Sequence, residues 1–288
     1  MQINTGKSEQ LAEWETGVMF WAGRDPSETL DELKKLGVRC GQLGVPGDLD
    51  TSIAPRWRDA LEKERFVVYT VFAAFKGESY ADVPTVRSTV GFIPQATRDE
   101  REKRMLAVSD FAAAIGVPGI ATHVGFIPHD DSDPDYIAVR EMVRRICDYC
   151  AKHGQTFALE TGQETAEALR SFLIDVNRDN LGINFDPANM ILYGTGDPVE
   201  ALGSLGEHVL SVHCKDGDWP PPEQPDALGK EQPLGKGQVG MERFLGQLHS
   251  VGYRGPLAVE RESEPPSERL RDIAAGISLL RELRNKLL

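Results

Sequence analysis

The chain has 288 residues, 40% of them hydrophobic and 27% charged, which suits one large globular domain or at most two. Its 32 basic and 45 acidic side chains leave a formal charge of −13, which opposes a polyanionic partner, because nucleic-acid affinity rests on lysines and arginines replacing counterions. The opening MQINTGKSEQLAEWE has no apolar run behind its lysine, unlike a secretory signal, and the most apolar stretch, VVYTVFAAF at 67–75, is far short of a membrane span. The expectation is a cytoplasmic protein with no nucleic-acid or membrane partner.

In chain order, β-rich runs are expected at 16–22, 38–45, 66–75, 119–126, 156–161, 181–186, 209–214 and 256–261. Helical patterns lie between them. DPSETLDELKKLG places Asp25 as an N-cap, Pro26 in the first turn and Glu28 where a capping box wants it; Leu30, Leu33 and Leu36 share a face and Gly37 closes it. Thr97 and Glu100 suggest a second capping box ahead of a helix running to about Gly116. The segments 134–153, 164–177, 240–250 and 267–287 also read as amphipathic helices, and DPVEALGSLG at 197–206 repeats the Asp-Pro opening. Cys147 and Cys150 form a C-x-x-C pair, but it falls within a helix rather than at a helix start, so buried packing is expected rather than redox chemistry.

Eight strands alternating with helices over this length predict an α/β fold, a (β/α)8 TIM barrel in a single domain, 1–288, with 1–13 as an N-terminal extension. An open doubly wound sheet is the rival, but FWAGRDPSE after the first strand lacks the G-x-G-x-x-G phosphate fingerprint.

Functional side chains of such a barrel gather at the C-terminal ends of its strands. The last four strands end in Glu160 (FALETG), Asp186 (INFDPAN), His213 (SVHCKD) and Glu260 (LAVERE). Two residues earlier stand Ala158, Asn184, Ser211 and Ala258, small or polar as expected below a polar cavity. Any one of these ends has a bland reading, a salt bridge for a glutamate or a satisfied core histidine for His213. Four in succession point to a divalent cation, which stabilises three carboxylates together. Hard oxygen donors with one nitrogen favour Mn2+ or Mg2+, with Co2+ or Zn2+ open by affinity.

At these residues the sequence resembles the xylose isomerase-like TIM-barrel superfamily, and within it the sugar phosphate isomerases/epimerases, including ketose 3-epimerases. The likeness runs from about Trp14 to Leu287 and rests on LETG, NFDPANMILYGTGDPVEAL, VHCKDGD, PLGKGQVG and GYRGPLAVERE. It implies that Glu160, Asp186, His213 and Glu260 ligate the metal and that Glu160 and Glu260 are the acid/base pair. One glutamate would remove the proton beside a carbonyl to give a metal-stabilised enediolate, and the other would return it, epimerising or isomerising a sugar or sugar phosphate. Several ketose 3-epimerases carry a histidine three residues after the sixth-strand aspartate; here Asn189 can hydrogen-bond but cannot shuttle a proton, which keeps other reactions open. The endonuclease IV-like branch needs extra histidines for three zinc ions, and of these positions only His123 is kept, so DNA cleavage is not expected.

His123, Asn189, Lys215, Trp21 and Gln42 are the candidate substrate contacts, the last as a polar residue ending the second strand. Plainer roles are a loop-bonded histidine for His123, pairing with Asp216, Asp218 or Glu262 for Lys215, and packing for Trp21, Phe126 and Trp219. Residues 218–232, rich in proline, read as a stiff surface loop that walls the pocket or covers it, and no dedicated phosphate cradle is identified, since the Gly-rich LGKGQVG can simply be the turn entering a helix. The functional alternatives are dehydration of a keto-polyol of the inosose type on the same scaffold, and a non-catalytic sugar-binding barrel; a homo-oligomer is possible in each case.

Overall fold

Strands of a parallel barrel are covered on both faces, by helices outside and packed side chains inside, so they read as short apolar runs. The computed structural model describes residues 11–224 and 226–288, so most of the expected 1–13 extension lies outside the described residues. Eight parallel strands close in the order β1-β10-β7-β6-β5-β4-β3-β2. They are β1 (Thr16–Trp21), β2 (Cys40–Val45), β3 (Val67–Ala73), β4 (Gly119–Thr122), β5 (Thr156–Glu160), β6 (Leu181–Phe185), β7 (Val209–Cys214) and β10 (Leu257–Val259). The (β/α)8 barrel expected from the alternation is therefore the observed fold. The strands are shorter than the apolar runs because residues such as His123–Phe126 leave the ladder to form loops over the barrel mouth. Among the described residues, no helix is long and apolar enough to cross a membrane.

The connecting helices are α1 (Pro26–Lys35), α2 (Ala54–Glu64), α3 (Val83–Thr89), α4 (Arg98–Ala114), α5 (Pro134–Ala151), α6 (Ala166–Val176), α7 (Pro187–Tyr193), α8 (Pro198–Leu205), α9 (Met241–Ser250) and α10 (Pro266–Leu287). Asp25 caps α1 by accepting from the Ser27 N–H at 3.0 Å, and Asp197 caps α8 by accepting from Val199 and Glu200. Thr97 differs from expectation. A short 3-10 turn, Gln95–Thr97, precedes α4 and leaves Thr97 at φ −113°, ψ −3°, so its hydroxyl donates back to Pro94 O at 3.3 Å instead of capping the helix. Helix α2 follows a weaker signal, Pro55 near its start with Trp57 and Leu61 buried one turn apart.

Within 218–232 the two ends pair as an antiparallel hairpin, β8 (Asp216–Asp218) with β9 (Lys230–Gln232), which the sequence reading treated as irregular. Cys147 and Cys150 are buried on α5 among apolar neighbours, and burial pushes the Cys150 thiol up to about 11 and Cys147 higher still, the environment of packed rather than reactive thiols.

Strands β1 and β2 pair Val18 with Gly41, and β2 slips register against β3 just beyond, at Gly41/Gln42. A Cβ at Gly41 would stand 2.3 Å from the Val18 carbonyl oxygen, so a side chain there must push β1 aside. Gly41→Ala is expected to lose about 1–3 kcal/mol of stability, read as a fall in thermal midpoint of several degrees; an unchanged midpoint would show that the strand pair yields freely.

Candidate metal centre

Glu160 ends β5, His213 is the penultimate residue of β7, and Asp186 and Glu260 follow β6 and β10 directly. They are not opposite one another in the sheet: Glu160 pairs in register with Asn184, and Ala258 with His213. These steps are the shear of a barrel whose strands are tilted, and they bring the four side chains to one level of its axis. One ligand atom from each lies within 4.8 Å of all the others, and all four residues are buried. The four strand-end residues expected from the sequence are therefore brought together.

The layer beneath fixes their orientation. Gln42 Nε2 donates to Asn184 Oδ1 at 3.0 Å, which leaves Gln42 Oε1, 3.1 Å from His213 Nε2, to accept the ring N–H. Ser211 Oγ donates to the same Asn184 oxygen, and Asn184 Nδ2 lies 3.2 Å from His213 Nδ1 and 3.4 Å from Glu160 Oε2. With Nε2 committed to Gln42, it is Nδ1 that faces the carboxylates, 3.0 Å from Glu260, 3.3 Å from Glu160 and 3.9 Å from Asp186. Gln42 stands in mid-strand and is fully buried, so it supports His213 from below rather than lining the cavity.

Asp186 divides its carboxylate. Oδ1 caps α7, accepting from the Ala188 and Asn189 N–H groups at 2.8 and 3.1 Å, while Oδ2, fully buried, has no hydrogen-bond partner. An orphaned carboxylate oxygen beside two more carboxylates and an imidazole is a donor set that fits a divalent cation. The charges agree. Burial disfavours an imidazolium, but Glu260 and Glu160 outweigh it and hold the His213 pKa well above its ordinary value. Burial lifts Asp186 far above the usual carboxylate range, opposed by Lys215 and reinforced by Glu260 and Glu160. Glu260 is buried too, yet the charges of His213 and Lys215 keep it well below that range.

A cavity of about 350 Å³ opens above the cluster. Glu160, Glu260, His123, Asn189, Lys215 and Trp21 line it. Asn189 Nδ2 donates to Glu160 Oε1 at 2.9 Å and so sets that carboxylate's direction. His123 Nε2 lies 3.9 Å from Glu160 Oε1, and its ring meets Phe72 edge-on at 5.5 Å. Lys215 Nζ donates to Glu262 at 3.0 Å and sits 3.4 Å from Glu260. Of the other two aromatic residues, Phe126 props Tyr193 edge-on at 5.8 Å, and Trp219 is exposed outside the cavity wall. The hairpin brings Leu228, Gly229 and Glu231 to the wall, as expected for residues 218–232.

Residues that sequence reasoning missed include Tyr80 and Tyr193 in the wall and the buried Glu164 in the loop after β5. Glu164 Oε1 accepts from the Ile127 N–H at 3.0 Å, tying the loops after β4 and β5, while Oε2 is buried without a hydrogen-bond partner, and burial pushes the carboxyl up to about 8. Its position after LETGQ gave no sign of this, since a loop glutamate is ordinarily solvated.

Two outcomes follow from these contacts. Gln42→Leu, which strips His213 Nε2 of its acceptor, is expected to weaken Mn2+ binding by roughly 10–100-fold in isothermal titration; wild-type affinity would mean that Gln42 does not orient the ring. Glu164 holds a proton in the folded chain between its unfolded pKa of 4.5 and about 8, so its contribution is intact below pH 4.5 and lost as pH rises through 8. Glu164→Gln should therefore raise the thermal midpoint over wild type at pH 9 by more than at pH 5, and an equal difference at both values would contradict that reading.

The family described as "Xylose isomerase-like TIM barrel" matches residues 30–283. No curated protein matches the chain. Among solved structures, a xylose isomerase domain protein from Planctomyces limnophilus is 42% identical over 96% of this chain and 99% of its own, with a TM-score of 0.90. A xylose isomerase-like TIM-barrel protein from Mycobacterium smegmatis in complex with magnesium is 17% identical over 89% of this chain and 87% of its own, with a TM-score of 0.66. D-Psicose 3-epimerase from Clostridium cellulolyticum H10, with D-tagatose, is 13% identical over 93% of this chain and 99% of its own, with a TM-score of 0.68. The last two share the fold. The match across most of the barrel shows that this chain belongs to the xylose isomerase-like TIM-barrel family.

Proposed function

We propose that the protein is a divalent-metal-dependent sugar isomerase or epimerase that removes a proton next to a carbonyl. The observation that carries this reading is that Glu160 and Glu260 both belong to the four-residue cluster and both reach the cavity wall, from strands separated by β6 and β7. Two carboxylates so placed are what a proton transfer with two stations requires.

Glu160, Asp186, His213 Nδ1 and Glu260 would hold the cation, with Mn2+ or Mg2+ favoured by the oxygen-rich set; a structural relative in complex with magnesium is in keeping with that choice. A cation there supplies Lewis acidity to the substrate's carbonyl oxygen. One glutamate takes the carbon-bound proton and the other delivers a proton to the product. Asn189 keeps the Glu160 carboxylate aimed through its 2.9 Å hydrogen bond. The Lys215 ammonium, which Glu260 and Glu262 hold protonated against the opposing effect of burial, offsets negative charge building on the substrate oxygens. Trp21 and Tyr80 present ring surface to an apolar sugar face.

The test is solvent deuterium incorporation into a panel of ketoses with Mn2+ present, followed by mass spectrometry and NMR. Wild type is expected to label one carbon beside the carbonyl, and Glu160→Gln and Glu260→Gln each to lose exchange by about 100-fold or more. Wild-type exchange in either variant would overturn the assignment of that glutamate. Loss of water from the substrate in place of a change in stereochemistry would assign the dehydratase reaction, and metal and ketose binding without exchange would assign a binding barrel.

A further inference from the structure

Barrels of this class that take phosphorylated substrates commonly hold the phosphate on the loops after the seventh and eighth strands, at backbone N–H groups near a helix start. Here the corresponding Gly-rich loop, PLGKGQVG, leads into α9. Four of its amides are already engaged: those of Lys236 and Gln238 donate to Pro233 O and Gly217 O at 2.9 and 2.8 Å, and those of Gly235 and Val239 to Asp216. Asp216 Oδ1 accepts from the Gly217 and Val239 N–H groups at 2.9 and 3.1 Å, and Oδ2 accepts from Gly235 at 2.9 Å. The carboxylate is buried, 1% exposed, and a Cβ at Gly237 would stand 2.4 Å from its Oδ1, so the loop closes tightly around it. The start of α7, directly after β6, is likewise filled by its own anion, Asp186.

The cavity's side chains tell the same story from the other direction. Lys215 is the single lysine or arginine in its described wall, against Glu78, Glu160, Glu231, Glu260 and Glu262. Its ammonium is already shared between Glu260 and Glu262. Arg261 lies behind the wall and is divided between Glu231 and Asp272, at 3.2 and 2.9 Å. Glu78 is satisfied by the Phe75 and Gly91 N–H groups, both 2.9 Å away, and offers no donor. Even with a doubly charged cation in the cluster, carboxylates around the cavity outnumber the positive charges. Within the described wall an incoming phosphate or carboxylate group would face mostly acceptors, with Lys215 already shared and the amides around Asp216 closed to it; the exposed Lys236 lies on the Gly-rich loop outside that wall.

We propose that the substrate is an uncharged polyhydroxy ketone, and that Asp216, by filling the amide cradle, together with the Glu231 and Glu262 rim, excludes phosphorylated and carboxylated sugars. This rests on the sugar reading above, and it narrows that reading to neutral compounds. Hydroxyl groups suit the wall as charged groups do not, since each can donate to a glutamate and lay its carbon skeleton on Trp21 or Tyr80.

The test compares matched pairs, a free ketohexose or ketopentose and its terminal phosphate ester, on Mn2+-loaded protein by isothermal titration, with solvent deuterium exchange run on the same samples. The free sugar is expected to bind at least about tenfold tighter than its ester. Glu262→Gln, which releases Lys215 from one partner, should narrow that gap by roughly threefold or more, because it removes one rim charge and frees one donor. Equal or tighter binding of the ester, no binding of either compound, or an unchanged gap in Glu262→Gln would each overturn the proposal. Preferential binding of the free sugar with no exchange would sustain it while refuting the isomerase reading, whereas exchange confined to the ester would do the reverse.

Discussion

Three carboxylates and an imidazole buried within 4.8 Å of each other are a repulsive arrangement that the rest of the barrel must compensate. The structure does so with positive charge and with directed donors. Lys215 stands at the rim, His213 carries its Nδ1 into the cluster, and Asn184 and Asn189 each point an amide at Glu160. A buried charge left without such partners costs several kcal/mol. The buried Asp186 Oδ2 is the point where internal compensation ends, and a divalent cation is what the remaining geometry accepts.

Much of this arrangement is delivered by one stretch of chain. In SVHCKDGD the alternation of a strand points Ser211, His213 and Lys215 to the barrel interior in three successive layers: a donor to Asn184, a member of the buried cluster, and a rim cation. Asp216 then leaves the barrel to start the hairpin, and its carboxylate gathers the amides of residues 217, 235 and 239. A strand that runs apolar in Val209 and Leu210 and then turns ionisable is thus a strand passing from packed barrel to site, and its charged end is neither a solvated loop entry nor an accident of composition.

The barrel and the clustering of its four strand-end residues were legible because both rest on period and position. Strand and helix periods repeat eight times, and the strand ends repeat the same kind of residue four times. What could not be read depends on contacts between distant segments. Gln42 looked like a strand-end residue, but the strand runs on to Val45 and its amide reaches across the barrel to His213, 171 positions away. Thr97 had the spacing of a capping box and lost it to a local turn. The residues 218–232 carry prolines that argue against strand, yet the flanks pair because β7 and the Gly-rich loop hold their ends together. No local pattern announces Glu164, whose raised pKa comes from burial by chain folded over it.

Lys215 shows why the rim and the buried cluster cannot be considered apart. It is the one ammonium among the described residues of the cavity wall, and its two partners belong to different layers, Glu260 in the cluster and Glu262 two residues further along the same segment. A substrate anion would have to draw Lys215 away from Glu260 and Glu262, which already share it at 3.4 and 3.0 Å. A neutral substrate makes no such demand: it leaves Lys215 where the two glutamates place it and uses their free lone pairs as acceptors for its hydroxyl groups. Rim and cluster are in this way joined through one shared ammonium, so the proposed selectivity against charge and the proposed proton transfer bear on the same side chain.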